Sequence, residues 1–344
     1  MATLVTTITE TLRYRGKIGQ WSWVFHRLSG LGIVLFVYLH VIDTSWAAFY
    51  PELYAEAIHF YQSPLFTLGE FGLVAAVVYH AINGYRIIYL DWRPQFWHLQ
   101  HRAAVIVFAI VAVILIPVFI LMAGHVVDFY NENDVESVGD IISGTDQVAS
   151  LSEAILGQAQ FAIGLLVTVG VALVLSFTLA AVRNENANTD SGIKRPSQLD
   201  IWFWKFMRYS GLLILPLVFG HLAMMHVLQG VFELTGHSAD IIGTDAVNSS
   251  GSVLTFVGER WDYLVAGVAV WRIYDGLLLA LIVVHGFYGL HLVVDDYAHN
   301  RVVNRALNWT IIFGAAFLII VGFAALIAGV EGAARDIVVQ AAQR

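Results

Sequence analysis

Residues 26–48 read HRLSGLGIVLFVYLHVIDTSWAA: a polar, basic head followed by a long apolar run. A bilayer core of roughly 30 Å takes about 20 residues of helix, so this stretch predicts a transmembrane helix. Helix is the default because an open, lipid-facing strand leaves its backbone donors and acceptors unpaired in hydrocarbon. Six more runs of this kind follow, at about 66–90, 103–124, 159–182, 206–230, 272–294 and 308–330. Composition agrees: of 344 residues, 58 % are apolar and 13 % charged, against roughly 45–50 % and about 25 % in soluble domains. The expected fold is all-α, a polytopic bundle of seven transmembrane helices, with membrane lipid around it and no nucleic acid as partner.

Lys and Arg accumulate on the cytoplasmic side of membrane proteins. Residues 1–12 carry no secretory-signal pattern, and with the N-terminus inside, fourteen of the eighteen Lys and Arg residues fall on cytoplasmic segments and helix ends. The opposite loops, about 49–65, 125–158 and 231–262, hold Arg260 alone against acids such as Asp128, Glu132, Asp134, Glu136 and Asp140. A multi-pass protein of the cell inner (cytoplasmic) membrane is expected, N-terminus cytoplasmic and C-terminus on the opposite side. The chain contains no cysteine, so it carries no disulfide and no thiolate-held iron–sulfur cluster. Electrons arriving through such a cluster come from another chain.

The sequence is internally repeated. Arg27-Leu28-Ser29-Gly30 is followed by His40, and Arg208-Tyr209-Ser210-Gly211 by His221, thirteen residues from Arg to His each time. His80 is followed by Gly84 and Asp91-Trp92, His285 by Gly289 and Asp296-Tyr297, with the same spacings of four and eleven. Two parallel three-helix halves need one extra crossing between them, and the span at 159–182, which lacks these markers, is expected to supply it. The division is 1–125, a first three-helix half; 126–200, an outer loop, the linking helix and a polar cytoplasmic linker at 184–199; and 201–344, the second half.

At 100° per residue an eleven-residue step returns to within about 20° of its start. His80 and Asp91 therefore share a helix face, as do His285 and Asp296, Ser29 and His40, and Ser210 and His221. Four intramembrane histidines, paired by a repeat, suit two haems each held by two imidazoles. Arg27, Arg208 and His26, near the cytoplasmic helix ends, suit propionates. Gly84 and Gly289 leave room for a flat ring or for close helix packing. His125, His226 and His291 are read as helix–helix hydrogen-bond partners, the commoner role of a membrane histidine. Counted from the helix ends, His40 lies about 20 Å and His80 about 16 Å deep, which leaves the two pairs unseparated in depth.

At these residues the chain resembles the membrane anchor of succinate dehydrogenase and fumarate reductase, with its cytochrome b subunit and small anchor subunit fused. His26-Arg27-Leu28-Ser29-Gly30 is similar to the opening signature of the first, His80 through Gly84 and Arg86 to Asp91 to its haem-ligand helix, and His285 through Gly289 to Asp296-Tyr297 to the haem and quinone helix of the second. The resemblance implies haem b, two favoured over one, with His80 and His285 as ligands of the cytoplasm-proximal haem and His40 and His221 at the distal pair. It implies a quinone bound by Arg27 and Tyr297 with Asp296 beside them, and flavoprotein and iron–sulfur subunits as partners. The family's quinone-site serine, three residues before the His-Arg pair, is Trp23 here, with Ser22 one step earlier as the substitute. The fusion through an extra span is a second departure. Rival readings are the di-haem cytochrome b subunit of another quinone-linked dehydrogenase or hydrogenase, against which the parallel repeat and the His-Arg-x-Ser-Gly opening argue, and a haem-free transporter with histidines in a proton path.

Overall fold

The structure is a computed structural model, and it describes residues 17–132, 198–298 and 300–331. The expected linking span at 159–182, nearly all of the linker, and Asp134, Glu136 and Asp140 lie outside the described residues.

Among the described residues six helices are long and apolar enough to cross a membrane: Ile18–Phe49, Pro64–Trp92, Pro94–Phe129, Ile201–Val227, Val270–Tyr297 and Arg301–Ala328. Each contains one of the six other expected runs or the greater part of it. The elements are α1 (Ile18–Phe49), α2 (Pro51–Tyr61), α3 (Pro64–Trp92), a 3₁₀ turn (Pro94–Leu99), α4 (Gln100–Glu132), α5 (Gln198–Leu222) continued by a π-turn (Ala223–Val227), α6 (Val253–Asp262), α7 (Val270–Tyr297) and α8 (Arg301–Ala328). α1 begins eight residues before the apolar run because Trp21, Trp23 and Phe25 extend the helix into the interfacial zone, where amphipathic rings are stable. Local signals set other boundaries. Ser63 accepts from the Phe66 amide ahead of Pro64 at the first helical position of α3, a residue with no amide to satisfy. Asn300 caps α8 by accepting from the amides of Val302 and Val303.

α1, α3, α5 and α7 form the inner four helices. α1 packs on α3 and α7, and α5 on the same two. α4 lies outside against α3, and α8 outside against α7 and α1. On the outward faces of α4 and α8, Val113, Ile116, Ile120, Ile312, Phe313 and Ile320 are exposed, as required where the surroundings are hydrocarbon. Two apolar clusters hold the bundle. Val74, Val78, Val107, Val111, Val218 and Leu278 join α3, α4, α5 and α7; Val283, Phe287 and Leu318 join α7 and α8, with Val34 and Tyr38 of α1 against them.

The end where α1 starts is the near end, the other the far end. Two short strand pairs, Ala239–Asp240 with Val247–Asn248 and Leu264–Val265 with Val268–Ala269, combine with α2 and α6 to close the far end. A third apolar cluster, including Tyr54, Ile58, Phe232, Ile241, Leu254, Phe256 and Trp261, fills this cap. The 231–262 segment, expected only as a loop on the far side, is thus a small folded lid on the bundle.

Candidate functional site

The inner helices enclose a cavity of about 1530 Å³, larger than the roughly 300–1,000 Å³ of a usual small-ligand pocket. Its lining includes His26, His40, His80, His221 and His285, with no residue of α4. Most of the wall is aliphatic or aromatic. The polar groups are concentrated at two levels.

At the near level the two halves repeat the same contacts. Ser29 Oγ lies 3.3 Å from His80 Nδ1, and Ser210 Oγ 2.9 Å from His285 Nδ1. The His26 carbonyl also meets His80 Nδ1, at 3.1 Å. Each glycine after the serine backs the same ring: a Cβ on Gly30 would lie 2.9 Å from His80 Cε1, and one on Gly211 3.6 Å from His285 Cε1. Both Nδ1 atoms are therefore engaged, and the His26 carbonyl, which can only accept, places a proton on His80 Nδ1, the ring orientation that outer hydrogen bonds give an imidazole whose Nε2 is left for other contacts. Gly84 faces the His26 ring and Gly289 the Met207 methyl, so here these glycines admit protein side chains. The His26 ring stacks on His80 at 4.0 Å between centroids, and His26 Nδ1 is buried with no hydrogen-bond partner.

The near-end charges pair across the halves. Arg27 is paired with Asp296 and Arg208 with Asp91 at 2.5 Å. A tryptophan one turn before each arginine lies under its guanidinium, Trp23 at 4.2 Å from Arg27 and Trp204 at 3.5 Å from Arg208. Tyr297 flanks Arg27 at 5.9 Å. Arg27 lines the cavity, whereas Trp23, Asp296 and Tyr297 do not, and Tyr297 is 66 % exposed. These four gather at the α1–α7 edge, open sideways to the surroundings. Ser22 is elsewhere: fully buried, its hydroxyl donates to Asn83 Oδ1 at 2.8 Å and contacts the Tyr79 hydroxyl at 3.1 Å. The sequence brings Ser22 to the α1–α3 seam and leaves it no free hydrogen to offer at the edge.

The far level holds three imidazoles. His40 and His221 ring centroids are 6.1 Å apart, and His226 lies 6.2 Å from His40 and 5.4 Å from His221. His226 makes the inter-helix hydrogen bond expected of it, Nδ1 to Glu70 Oε1 of α3 at 2.5 Å; what sequence reasoning did not find is its place beside the other two rings. Five residues of regular α-helix would turn it about 140° away from His221, but the π-turn at Ala223–Val227 widens the coil and brings both to the cavity. A π-turn leaves no mark in 3.6-residue periodicity, so no sequence signal was available. His125 and His291 do make the expected inter-helix contacts: His125 with Glu233 and, at 2.9 Å, with the Val227 carbonyl, His291 with Asn308 Oδ1 at 2.7 Å. Arg260, buried in the far cap, donates to the Ile242 carbonyl and lies over the Trp271 ring. Burial pulls its pKa down, and the neighbouring Asp275 carboxylate acts in the opposite sense.

Contacts also separate the levels. Because Ser29 touches His80, the two are at one depth, and His40, eleven residues further along α1, is about 16 Å farther out. Depth counted from helix ends missed this because α1 starts at Ile18, well before the apolar run.

Fold and site together define a polytopic membrane protein with two stacked imidazole layers inside an apolar bundle. Residues 7–121 match the succinate dehydrogenase/fumarate reductase transmembrane subunit family. The chain is similar to the succinate dehydrogenase 2 membrane subunit SdhC of Mycobacterium tuberculosis (strain ATCC 25618 / H37Rv), 35 % identical over 130 residues, 36 % of this chain and 96 % of that protein. It is also similar to the succinate dehydrogenase hydrophobic membrane anchor subunit of Halobacterium salinarum (strain ATCC 700922 / JCM 11081 / NRC-1), 31 % identical over 74 residues, 21 % of this chain and 57 % of that protein. No solved structure matches the chain significantly. The chain belongs to the succinate dehydrogenase/fumarate reductase membrane subunit family.

Proposed function

We propose that this chain is both anchor subunits of a succinate:quinone oxidoreductase in one polypeptide, divided at 1–125, 126–200 and 201–344. It would hold the flavoprotein and iron–sulfur subunits at the near, cytoplasmic end in the cell inner membrane and pass their electrons to quinone. Family membership supports the anchor role. The observation that carries the redox role is the repeat-equivalent seating of His80 and His285.

The residues fit haem b. Among the described residues no three His, Cys, Asp or Glu side chains are arranged to hold a bare metal ion, whereas paired imidazoles suit an iron that brings its own equatorial ring. His80 and His285 are the proposed near ligands and His40 and His221 the far ones; the 6.1 Å between the far rings is close to twice the roughly 3 Å made by a metal–nitrogen bond of about 2 Å and the distance from nitrogen to ring centre. Arg27, Arg208 and His26, the last with its free Nδ1, stand where propionates would be met. When bound, haem b supplies a one-electron iron couple. The protein's part is to fix the imidazoles and exclude water with the apolar wall.

At the α1–α7 edge Arg27 offers a guanidinium hydrogen to one quinone carbonyl and Tyr297 its hydroxyl, while Trp23 gives a flat face for the ring. Asp296, paired with Arg27, positions that guanidinium and can hold a proton. Ser22 belongs in this account only as the residue that fixes α1 against α3.

The deciding experiment is a reduced-minus-oxidised spectrum with pyridine haemochrome quantification on the purified complex. Two haem b per chain is the expected result. One would leave His80 and His285 alone in role, and none would overturn the electron-transfer reading.

A further inference from the structure

The repeat extends to a pair of acids that the near-end motifs do not include. Glu70 of α3 lies ten residues before His80, and Asp275 of α7 ten residues before His285. Ten residues is about 15 Å of helix, which puts both carboxylates at the depth of the far imidazoles. Both line the cavity, and each faces a histidine. Glu70 Oε1 meets His226 Nδ1 at 2.5 Å, and Asp275 Oδ1 lies 4.0 Å from His221 Nδ1. The last two atoms are buried, face each other beyond hydrogen-bond length and have no hydrogen-bond partner among the described residues, and Asp275 is steadied from its other oxygen by Trp261 Nε1 at 3.2 Å.

The two layers thus differ in what their imidazoles lean on. At the near level Nδ1 meets neutral groups, the hydroxyls of Ser29 and Ser210 and the His26 carbonyl. At the far level the Nδ1 atoms of His226 and His221 face carboxylates, the first in hydrogen-bond contact and the second at 4.0 Å. A carboxylate facing an imidazole Nδ1 orients the ring and adds negative charge beside it, which favours the oxidised, more positive iron. Acids within a membrane span are costly and are kept for such roles.

We propose that Asp275 and Glu70 are positioning residues of the far imidazole layer: Asp275 orients His221, Glu70 orients His226 against His40 and His221, and together they hold the far haem at a lower midpoint potential than the near one. This rests on the two-haem reading. Arg260, the cation lining this end, acts against the acids but is itself held by the Ile242 carbonyl and the Trp271 ring.

The test is a potentiometric titration of the α band of the whole complex, with haem counted in the same samples, for the unaltered protein, Asp275→Asn, Glu70→Gln and Asp275→Glu. With two haems retained, the lower midpoint shifts upward in Asp275→Asn and Glu70→Gln, the higher one stays, and Asp275→Glu stays near the unaltered value. The proposal is overturned if the lower midpoint is unmoved, if the higher one moves instead, or if Asp275→Glu shifts as far as Asp275→Asn. Should Asp275→Asn lose its far haem, the Glu70→Gln and Asp275→Glu midpoints decide by the same criteria. An unaltered complex with fewer than two haems overturns the two-haem reading itself, which the haem count reports separately.

Discussion

Arg27 takes its ion-pair partner from the other half of the protein: Asp296, not Asp91, although Asp91 occupies the equivalent place in Arg27's own half. Arg208 pairs reciprocally with Asp91. The exchange clamps α1 to α7 and α5 to α3 at the near end, so the halves are joined where the proposed quinone edge and propionate contacts lie.

The two clamps are not equally strong. The Arg208 and Asp91 side chains are 18 % and 21 % exposed, those of Arg27 and Asp296 26 % and 52 %. Solvent screens the second pair into the range of about 0–1 kcal/mol, while a shielded pair couples by up to about 3 kcal/mol. Double-mutant cycles with Arg208→Gln and Asp91→Asn, and with Arg27→Gln and Asp296→Asn, read by unfolding in detergent, are expected to give the larger coupling for Arg208–Asp91. Equal couplings would refute that ranking.

Tyr297→Phe keeps the ring beside Arg27 and removes its hydroxyl. On the proposed function, this variant and Arg27→Ala each lower quinone reductase activity of the complex by at least tenfold, the scale of losing a hydrogen bond worth about 1.5–3 kcal/mol, while haem content holds in Tyr297→Phe. Full activity in both would remove quinone from the α1–α7 edge.

Ser29 and Ser210 make repeat-equivalent contacts but their loss should differ. Without Ser29, His80 Nδ1 keeps the His26 carbonyl at 3.1 Å; without Ser210, His285 Nδ1 loses the one hydrogen-bond partner found for it among the described residues. Loss of such an outer partner commonly costs about 10–100-fold in metal-site affinity or activity. Ser210→Ala is therefore expected to lower haem retention during purification more than Ser29→Ala does, as read by haemochrome assay.

Gly30 and Gly211 likewise separate. A Cβ at Gly30 would sit 2.9 Å from His80 Cε1, whereas at Gly211 the gap to His285 Cε1 is an ordinary 3.6 Å. Gly30→Ala is expected to displace the His80 ring and destabilise by about 1–3 kcal/mol, the usual cost of overpacking, and Gly211→Ala to be tolerated. Thermal melting in detergent compares them, and a Gly30→Ala protein as stable as its Gly211→Ala counterpart would count against the seating described.

Sequence alone determined the membrane class, the six described membrane-spanning helices, the internal repeat and the histidines, arginines and near-end acids that it pairs. These follow from terms that act along the chain: the length of apolar run needed to cross hydrocarbon, and the spacing of polar side chains on a 3.6-residue helix. Tertiary structure decided what crosses between helices. The exchange of Arg27 and Arg208 for acids of opposite halves, the burial of Ser22 against Asn83, the turning of Gly84 toward His26, the arrival of His226 through a π-turn and the two depths set by the Ser29–His80 contact all depend on how the helices sit side by side. Hydropathy and periodicity describe one helix at a time, and these relations are set by the packing of several.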